Sequence, residues 1–260
     1  FVIAAAACGH AGAAEGAYPA RPIRLISPFT PGGGNDLVSR TIAAAVSKNV
    51  GQSIVVDNRP GANTIVGMEL VAKAAPDGYT LITTSSTQAI NATLYPKLPY
   101  DSIAGFAPIC RVGSSPLIVA VPPASAIRTV ADLIAAARAK PNELAYPSAG
   151  TGNATHLGGE LFAAMAGVKL THVPYKGSGP GLTDLAAGRL AVAFSTALSV
   201  MPFVKSGRLR AIAVTGGARS SFAPELPTVA EAGLPGYEAS TWYGLLAPAG
   251  TSRAVVMRLN

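Results

Sequence analysis

Apolar positions in the first hundred residues switch between short continuous runs and sets spaced three or four apart. Each switch is marked by glycine, proline or asparagine. Ile23 to Ser27 is an apolar run that meets Pro28 and the turn Pro31-Gly32-Gly33-Gly34. Leu37, Val38, Ile42, Ala45 and Val46 then recur at helical spacing, with Asn35 or Asp36 placed to cap that helix. Ser53 to Asp57 predicts a second strand, and Asn58 to Ala62 carries turn chemistry. Ile65, Met68, Val71 and Ala72 predict a helix within Asn63 to Ala75, stopped by Pro76-Asp77-Gly78. Tyr79 to Thr83 predicts a third strand, ending in Thr84-Ser85-Ser86-Thr87. The order β-α-β-α-β calls for a parallel sheet with right-handed crossovers. Ligands of such sheets sit beyond the carboxyl ends of the strands, where the glycine turn and the Ser/Thr cluster both fall.

Tyr95 to Gly105 reads as a polar connection, followed by strands at Pro108 to Val112 and Leu117 to Val121. Pro122-Pro123 then marks a crossing between domains. The pattern restarts with a helix at Thr129 to Lys140, a strand at Leu144 to Pro147 and a loop from Ser148 to Asn153. A helix at Ala154 to Ala166, a strand at Lys169 to Val173 and a helix at Gly181 to Ala187 come next. Leu190 to Phe194 and Arg210 to Val214 predict strands on either side of a helix at Leu198 to Ser206. Pro224 to Pro235 is turn-rich with a short helix, and Ser240 to Ala247 is a returning strand.

Gly150-Thr151-Gly152 thus follows a strand and opens a helix, as Gly32-Gly33-Gly34 does. Glycines let the backbone approach a ligand, and the first amides of a helix have no internal acceptor. Taken singly, either loop is equally an ordinary connection. Two such helix starts, one in each half, suit an anion held between them.

Composition narrows the function classes. At 260 residues, with 49% hydrophobic and 13% charged residues, the chain can bury one large core or two smaller ones. The net charge of +7 comes from singly scattered Lys and Arg, which is not the clustered footprint of a nucleic-acid binder. Two cysteines, Cys8 and Cys110, provide neither a disulfide framework nor zinc spacing. Residues 1–17 read as the remnant of a secretory signal peptide or as an Ala-rich tail, with A-x-A-type cleavage near Ala14. The expected location is therefore the periplasm, and Ala5-Ala6-Ala7 before Cys8 leaves a lipid anchor as the lesser alternative.

Motifs of known chemistry are sparse. GTGNAT at Gly150 to Thr155 lacks the last glycine of a dinucleotide fingerprint, and the Gly32 turn lacks the Lys-Ser/Thr of a P-loop. There is no GxSxG elbow and no HExxH. His156 falls in the first turn after the Gly150 loop, placed to orient that loop or touch a ligand, whereas His172 reads as a structural strand residue. Asp36 and Asp184 lie near helix starts, where carboxylates cap or complement the dipole. Trp242 and Tyr243 read as packed strand residues, with a cleft lining as the alternative.

Several segments, in fixed order from Tyr18 to Asn260, resemble one family. They are YPARPIRLISPFTPGGGNDLVSR, VVDNRPGA, PDGYTL, SAGTGNATHLGGELF, HVPYKGSGPGLTDLAAGRL and LPTVAEAGLPGYEASTWYGLLAP. The family is the Bug-type receptors, extracytoplasmic solute-binding proteins of tripartite tricarboxylate transporters. The resemblance implies an α/β, two-lobed, type II periplasmic-binding-protein fold, with parallel-sheet lobes joined by a hinge. Lobe one would be residues 18–121 and 227–260, and lobe two residues 122–226. Members of the family continue beyond a segment like SRAVVMRLN, so the C-terminal part of lobe one is expected to be cut short.

The resemblance further implies a monomer without catalysis or cofactor, which passes a small carboxylate to membrane transporter subunits. By position, Phe29, Thr30, Pro31, Gly32 and Gly33 would offer backbone amides to the carboxylate, and Ser85 and Ser86 hydroxyls. Ser148, Ala149, Gly150, Thr151 and Asn153 would close from the other lobe, with His156 nearby and Thr196 and Ala197 flanking. Asn153 stands where serine is more usual, which leaves the identity of the ligand open. Two other classes remain at this level: a cleft hydrolase using His156, and a ligand-sensing partner of a signalling protein.

Overall fold

A computed structural model of the chain describes residues 18–260, so the expected leader, Cys8 and His10 lie outside the described residues. The first elements are β1 (Ile23–Ser27), α1 (Gly34–Val50), β2 (Ile54–Asn58), α2 (Ile65–Ala72), β3 (Thr80–Ser85) and α3 (Thr87–Leu94). Next come β4 (Phe106–Val121), α4 (Val130–Ala139), β5 (Ala145–Ser148), α5 (Ala154–Ala166), β6 (Thr171–Pro174) and α6 (Ser178–Ala186). The chain closes with β7 (Ala193–Thr196), α7 (Ala197–Lys205), β8 (Arg210–Val214), β9 (Ser240–Pro248) and α8 (Arg253–Leu259).

Strand β1 lies between β2 and β3 in parallel, with Leu25 registered against Val56 on one side and Leu81 on the other. The sheet continues as β2-β1-β3-β9-β4-β7, with β8 also paired to β4. Among the named strands, parallel pairing joins β1 to its neighbours and β5 to β6, while β9, β4, β7 and β8 join antiparallel.

The two strands expected at Pro108–Val112 and Leu117–Val121 are one strand of 16 residues. Its register on β9 shifts between Pro108 and Cys110 and again between Arg111 and Gly113. The second bulge falls at Gly113, where the stretch that reads as a break in the sequence begins, and Ser114 to Pro116 stay in regular register. As far as Pro116 the strand pairs with β9; from Leu117 it pairs with β7 and β8.

Its last five residues are fully buried and serve two cores in alternation. Leu117, Val119 and Val121 pack with α4 and α5 residues such as Leu133 and Phe162, while Ile118 and Ala120 pack with Leu182, Leu185 and Val200. This period of two follows from side chains pointing to opposite faces of a strand. Val229, Leu234 and Tyr237 join the first of these cores, and the Tyr237 hydroxyl donates to the Gly158 carbonyl at 2.8 Å. Residues on both sides of the expected boundaries at 121 and 227 thus share this core, and β4 runs unbroken to Val121.

The first half packs on both faces of its sheet. Ile23, Leu25, Leu81 and Leu245 meet α1 and α8 on one face, and Ile26, Ile82 and Leu246 meet Met68 and Val71 of α2 on the other. Helix α3 was not expected: it starts inside the Ser/Thr cluster, and the residues it buries, Thr87 and Asn91, are polar. The short helix expected within Pro224–Pro235 is absent. Thr228 and Glu231 exchange side-chain to backbone hydrogen bonds of 3.0 and 3.1 Å as in a capping box, yet the chain turns away at Gly233, where φ is +120°. Among the described residues no helix is long and apolar enough to cross a membrane.

Candidate functional site

Helix α1 begins with Gly33 as its N-cap and no side chain caps it, contrary to the cap expected from Asn35 or Asp36. Asp36 instead ties the loop from behind. Its Oδ2 accepts from the Gly32 amide at 3.0 Å and from Arg40 Nε at 3.0 Å, and its Oδ1 accepts from Asn58 Nδ2 at 2.8 Å. Burial pushes this carboxyl up, but the bonds from Arg40, Asn58 and Gly32 outweigh that and hold it below the usual carboxylate range. Asn35 turns inward: its Oδ1 accepts from Thr83 at 2.8 Å and from Ser27 at 3.2 Å, and its Nδ2 has no partner. The first amides of α1 are thus left to whatever occupies the space in front of them.

Side chains take several amides of the second glycine loop. Asn153 caps α5 by accepting from the Thr155 amide at 3.0 Å, and Thr155 Oγ1 accepts from the Ala149 amide at 2.8 Å. Ser148 Oγ accepts from the Gly150 amide at 3.2 Å and meets His172 Nε2 at 2.6 Å. His156 Nδ1 accepts from the Gly152 amide at 3.1 Å, and its ring stacks on His172 with centroids 3.9 Å apart. Burial lowers both imidazoles; for His172 burial and then the neighbouring His156 bring it down to about 4, so the pair is neutral at pH 7. Glu160 Oε1 stands 3.9 Å from His156 Nε2. With Nδ1 committed to Gly152, His156 is placed to hold the loop rather than to attack a bound ester.

The loops meet across the gap between the two halves. Asn153 Nδ2 donates to Thr87 Oγ1 at 2.8 Å, and the Thr30 amide donates to the Lys176 carbonyl at 3.2 Å. Glycines permit the close approach: a β-carbon on Gly34 would collide with the Thr196 hydroxyl and lie 2.7 Å from the Tyr243 hydroxyl.

Between the loops is a small cavity of about 30 Å³. Four helix starts converge on it: Gly33 and Gly34 of α1, Asn153 and Ala154 of α5, Ser178 of α6, and Thr196 of α7. Each brings the positive end of a helix dipole, and α1, α6 and α7 have no side-chain cap. No Lys, Arg, His, Asp or Glu lines the cavity. The arrangement can neutralise one small anion by backbone amides and dipoles alone.

Of the residues singled out in the sequence, Phe29, Gly33, Ser85, Ala149, Asn153 and Thr196 line this cavity. Thr30, Pro31 and Gly32 lie in the loop behind it, where Pro31 and Gly32 are exposed. Ser86 bonds Thr241 at 2.9 Å, Ser148 and His156 sit under the second loop, and Gly150 packs on Asn63 while Thr151 is exposed. Ala197 faces a separate apolar groove behind α7. Sequence reasoning did not assign Gly34, Asn35, Ala154, Thr155, Ser178, Thr241 or Tyr243 to the site. The first four continue the two glycine loops by one or two residues and were within reach of that argument. Ser178, Thr241 and Tyr243 arrive by tertiary folding from distant segments.

Comparison with known proteins identifies the family. Residues 38–260 match the model of the tripartite tricarboxylate transporter family receptors. A protein from the tcbD–tcbE intergenic region of Pseudomonas sp. strain P51 is 44% identical over 245 residues, covering 94% of this chain and 73% of that protein. Protein BugT of Bordetella pertussis is 39% identical, over 94% of this chain and 75% of its own length. Among solved structures, Rhodopseudomonas palustris Rpa4515 with adipate superposes with a TM-score of 0.91 at 40% identity, covering 93% of this chain and 81% of that one. MatC of the same organism, with bound malate, superposes with a TM-score of 0.87 at 30% identity, over 93% and 83% of the two chains. The chain belongs to the tripartite tricarboxylate transporter receptor family and has the type II solute-binding fold of those receptors.

Proposed function

We propose that the protein is a periplasmic receptor that encloses one small carboxylate between two lobes and delivers it, as a monomer, to a tripartite tricarboxylate-type transporter. The observation that carries this reading is the convergence of four helix starts on a cavity without a charged side chain. The lobes divide within β4 and β9, at Pro116–Leu117 and Ala239–Ser240. Those strands form the hinge. A ligand that touches α1 on one lobe and α5, α6 and α7 on the other makes its full set of contacts only when the cleft is closed, so it shifts the population to the closed state. The transporter then reads closure rather than the ligand itself. The relatives with bound adipate and malate support the chemistry of the ligand, and the family description supports the transporter partnership.

Thermal denaturation of the purified chain in a panel of mono-, di- and tricarboxylates tests the reading. A ligand bound only by the native state raises the midpoint by mass action. A dose-dependent rise with at least one acid is expected, together with a decrease in radius of gyration by small-angle scattering. A panel that leaves the midpoint unmoved would contradict it.

A further inference from the structure

The two halves also meet outside the cavity lining, where Thr30 and Asn63 of the first half each face a glycine of the second. Gly177 is so close to Thr30 that a β-carbon on it would collide with the Thr30 hydroxyl. Gly150 lies on Asn63, and a β-carbon there would stand 2.8 Å from Asn63 Oδ1. Thr30 Oγ1 and Asn63 Oδ1 are both shut off from solvent, and neither has a hydrogen-bond partner among the described residues. The Asn63 amide is not free to turn towards one. Its Nδ2 donates to Asn91 Oδ1 at 2.8 Å, Asn91 Nδ2 donates to the Asn63 carbonyl at 2.7 Å, and the backbone is held at a left-handed φ of +49°.

A polar atom buried without a partner is less stable than the same atom in water. Buried polar atoms are almost always paired, so two orphans at one boundary call for an explanation. Both belong to the first half and both are covered by the second, so separating the halves returns them to water. The hydrogen bonds that cross the boundary use other atoms: the Thr30 amide with the Lys176 carbonyl, and Asn153 Nδ2 with Thr87 Oγ1. Resting on the receptor reading above, we infer that Thr30 Oγ1 and Asn63 Oδ1 act as a brake on empty closure. They lose their water when the lobes shut and gain no bond in return, so the ligand-free receptor rests open until the contacts of a bound carboxylate offset the loss. Closure is thereby tied to occupancy, and a transporter that reads closure is not engaged by an empty receptor. The consequence runs against the usual effect of deleting a polar group. Removing either oxygen tightens binding, because the closed population rises while the cavity lining is untouched.

Calorimetric titration with adipate and malate, the acids bound by two relatives, compares the unaltered chain with Thr30→Val, which keeps the shape and removes the hydroxyl. Thr30→Val is expected to bind either acid about tenfold tighter. Its ligand-free melting midpoint should stay where it was, because the open form already exposes the hydroxyl. Asn63→Gly removes the second oxygen and is expected to bind tighter as well, even though loss of the bond to Asn91 lowers its midpoint. Either variant decides if the other fails to fold. Affinity equal to or below that of the unaltered chain in Thr30→Val overturns the inference, and the same result in Asn63→Gly overturns the part assigned to Asn63. If neither acid binds the unaltered chain, the receptor reading loses ground, and small-angle scattering of the ligand-free chains decides the brake by itself. A smaller radius of gyration in Thr30→Val supports it, and equal radii overturn it.

Discussion

The two glycine loops begin alike and end differently. Each follows a strand, turns on glycine and opens a helix. In the first, Gly32 to Gly34, the side chains act from behind and the amides in front are free. In the second, Ser148 to Asn153, Thr155, Ser148 and His156 take the amides of Ala149, Gly150 and Gly152, and Asn153 caps the helix that follows. Repetition of an architecture thus does not repeat its role. In the proposed reading the first loop offers donors to a ligand and the second acts as a cover, whose Asn153 reaches across to Thr87.

The widest gap is expected between two glycines of the first loop. Gly34→Ala places a methyl group against the Thr196 hydroxyl of the other half, so closure is hindered and carboxylate affinity falls on the order of 100-fold through loss of the closed population. The same methyl meets the Tyr243 hydroxyl of its own half, so a smaller loss of stability accompanies it. Gly32→Ala reverses the pattern. Its φ is +80° and nothing lies within 4 Å of the added carbon, so the cost is about 1–2 kcal/mol of stability with affinity barely changed. Titration and chemical denaturation of both variants separate the two effects; equal behaviour would remove the distinction drawn here.

Next in size is the tether behind the first loop. Asp36→Asn replaces a buried carboxylate that accepts from Gly32, Arg40 and Asn58, and is expected to cost about 1–3 kcal/mol. The pH dependence has a definite sign. The folded-state carboxyl is held below its unfolded value, so its contribution is present above the unfolded pKa and is lost as pH falls through the folded one. Denaturation midpoints between pH 7 and pH 3 should converge for the parent and Asp36→Asn. Parallel curves would show that the tether is not ionic.

The smallest effect belongs to the second loop. Asn153→Ala removes the α5 cap and the bond to Thr87, for about 1 kcal/mol of stability. Because that loop covers rather than donates, affinity should decline less than in Gly34→Ala. A larger decline, measured by the same titration, would assign Asn153 a direct ligand bond.

What could be read from the chain divides along the same line. Strand, loop and helix are local events, so β1, α1, α5 and the glycine turns are plain in the spacing of apolar residues. Asn153 before an apolar run is a cap by residue type alone. The α1 start was misjudged because Asn35 and Asp36 are good capping residues, and only the folded chain shows their side chains drawn to Thr83, Arg40 and Asn58. Strand β4 was split in two because Gly113 to Pro116 reads as a turn, and its continuity comes from pairing with β9 more than a hundred positions away. Tyr243 was assigned to the core for the same reason. An apolar run such as TWYGLL carries no sign of which face meets a cavity until β9 lies between β3 and β4.

The central claim is that helix starts alone, without a cationic side chain, recognise one negative charge. Calorimetry with the carboxylate that raises the denaturation midpoint most, and with its neutral amide, tests it most directly, because the two differ in charge and hardly in shape. The account predicts saturable binding of the acid and an affinity for the amide lower by about tenfold or more, since the dipoles of several helix termini act on the charge. Equal affinity for acid and amide would contradict it, and the cavity would then be a site for a neutral molecule.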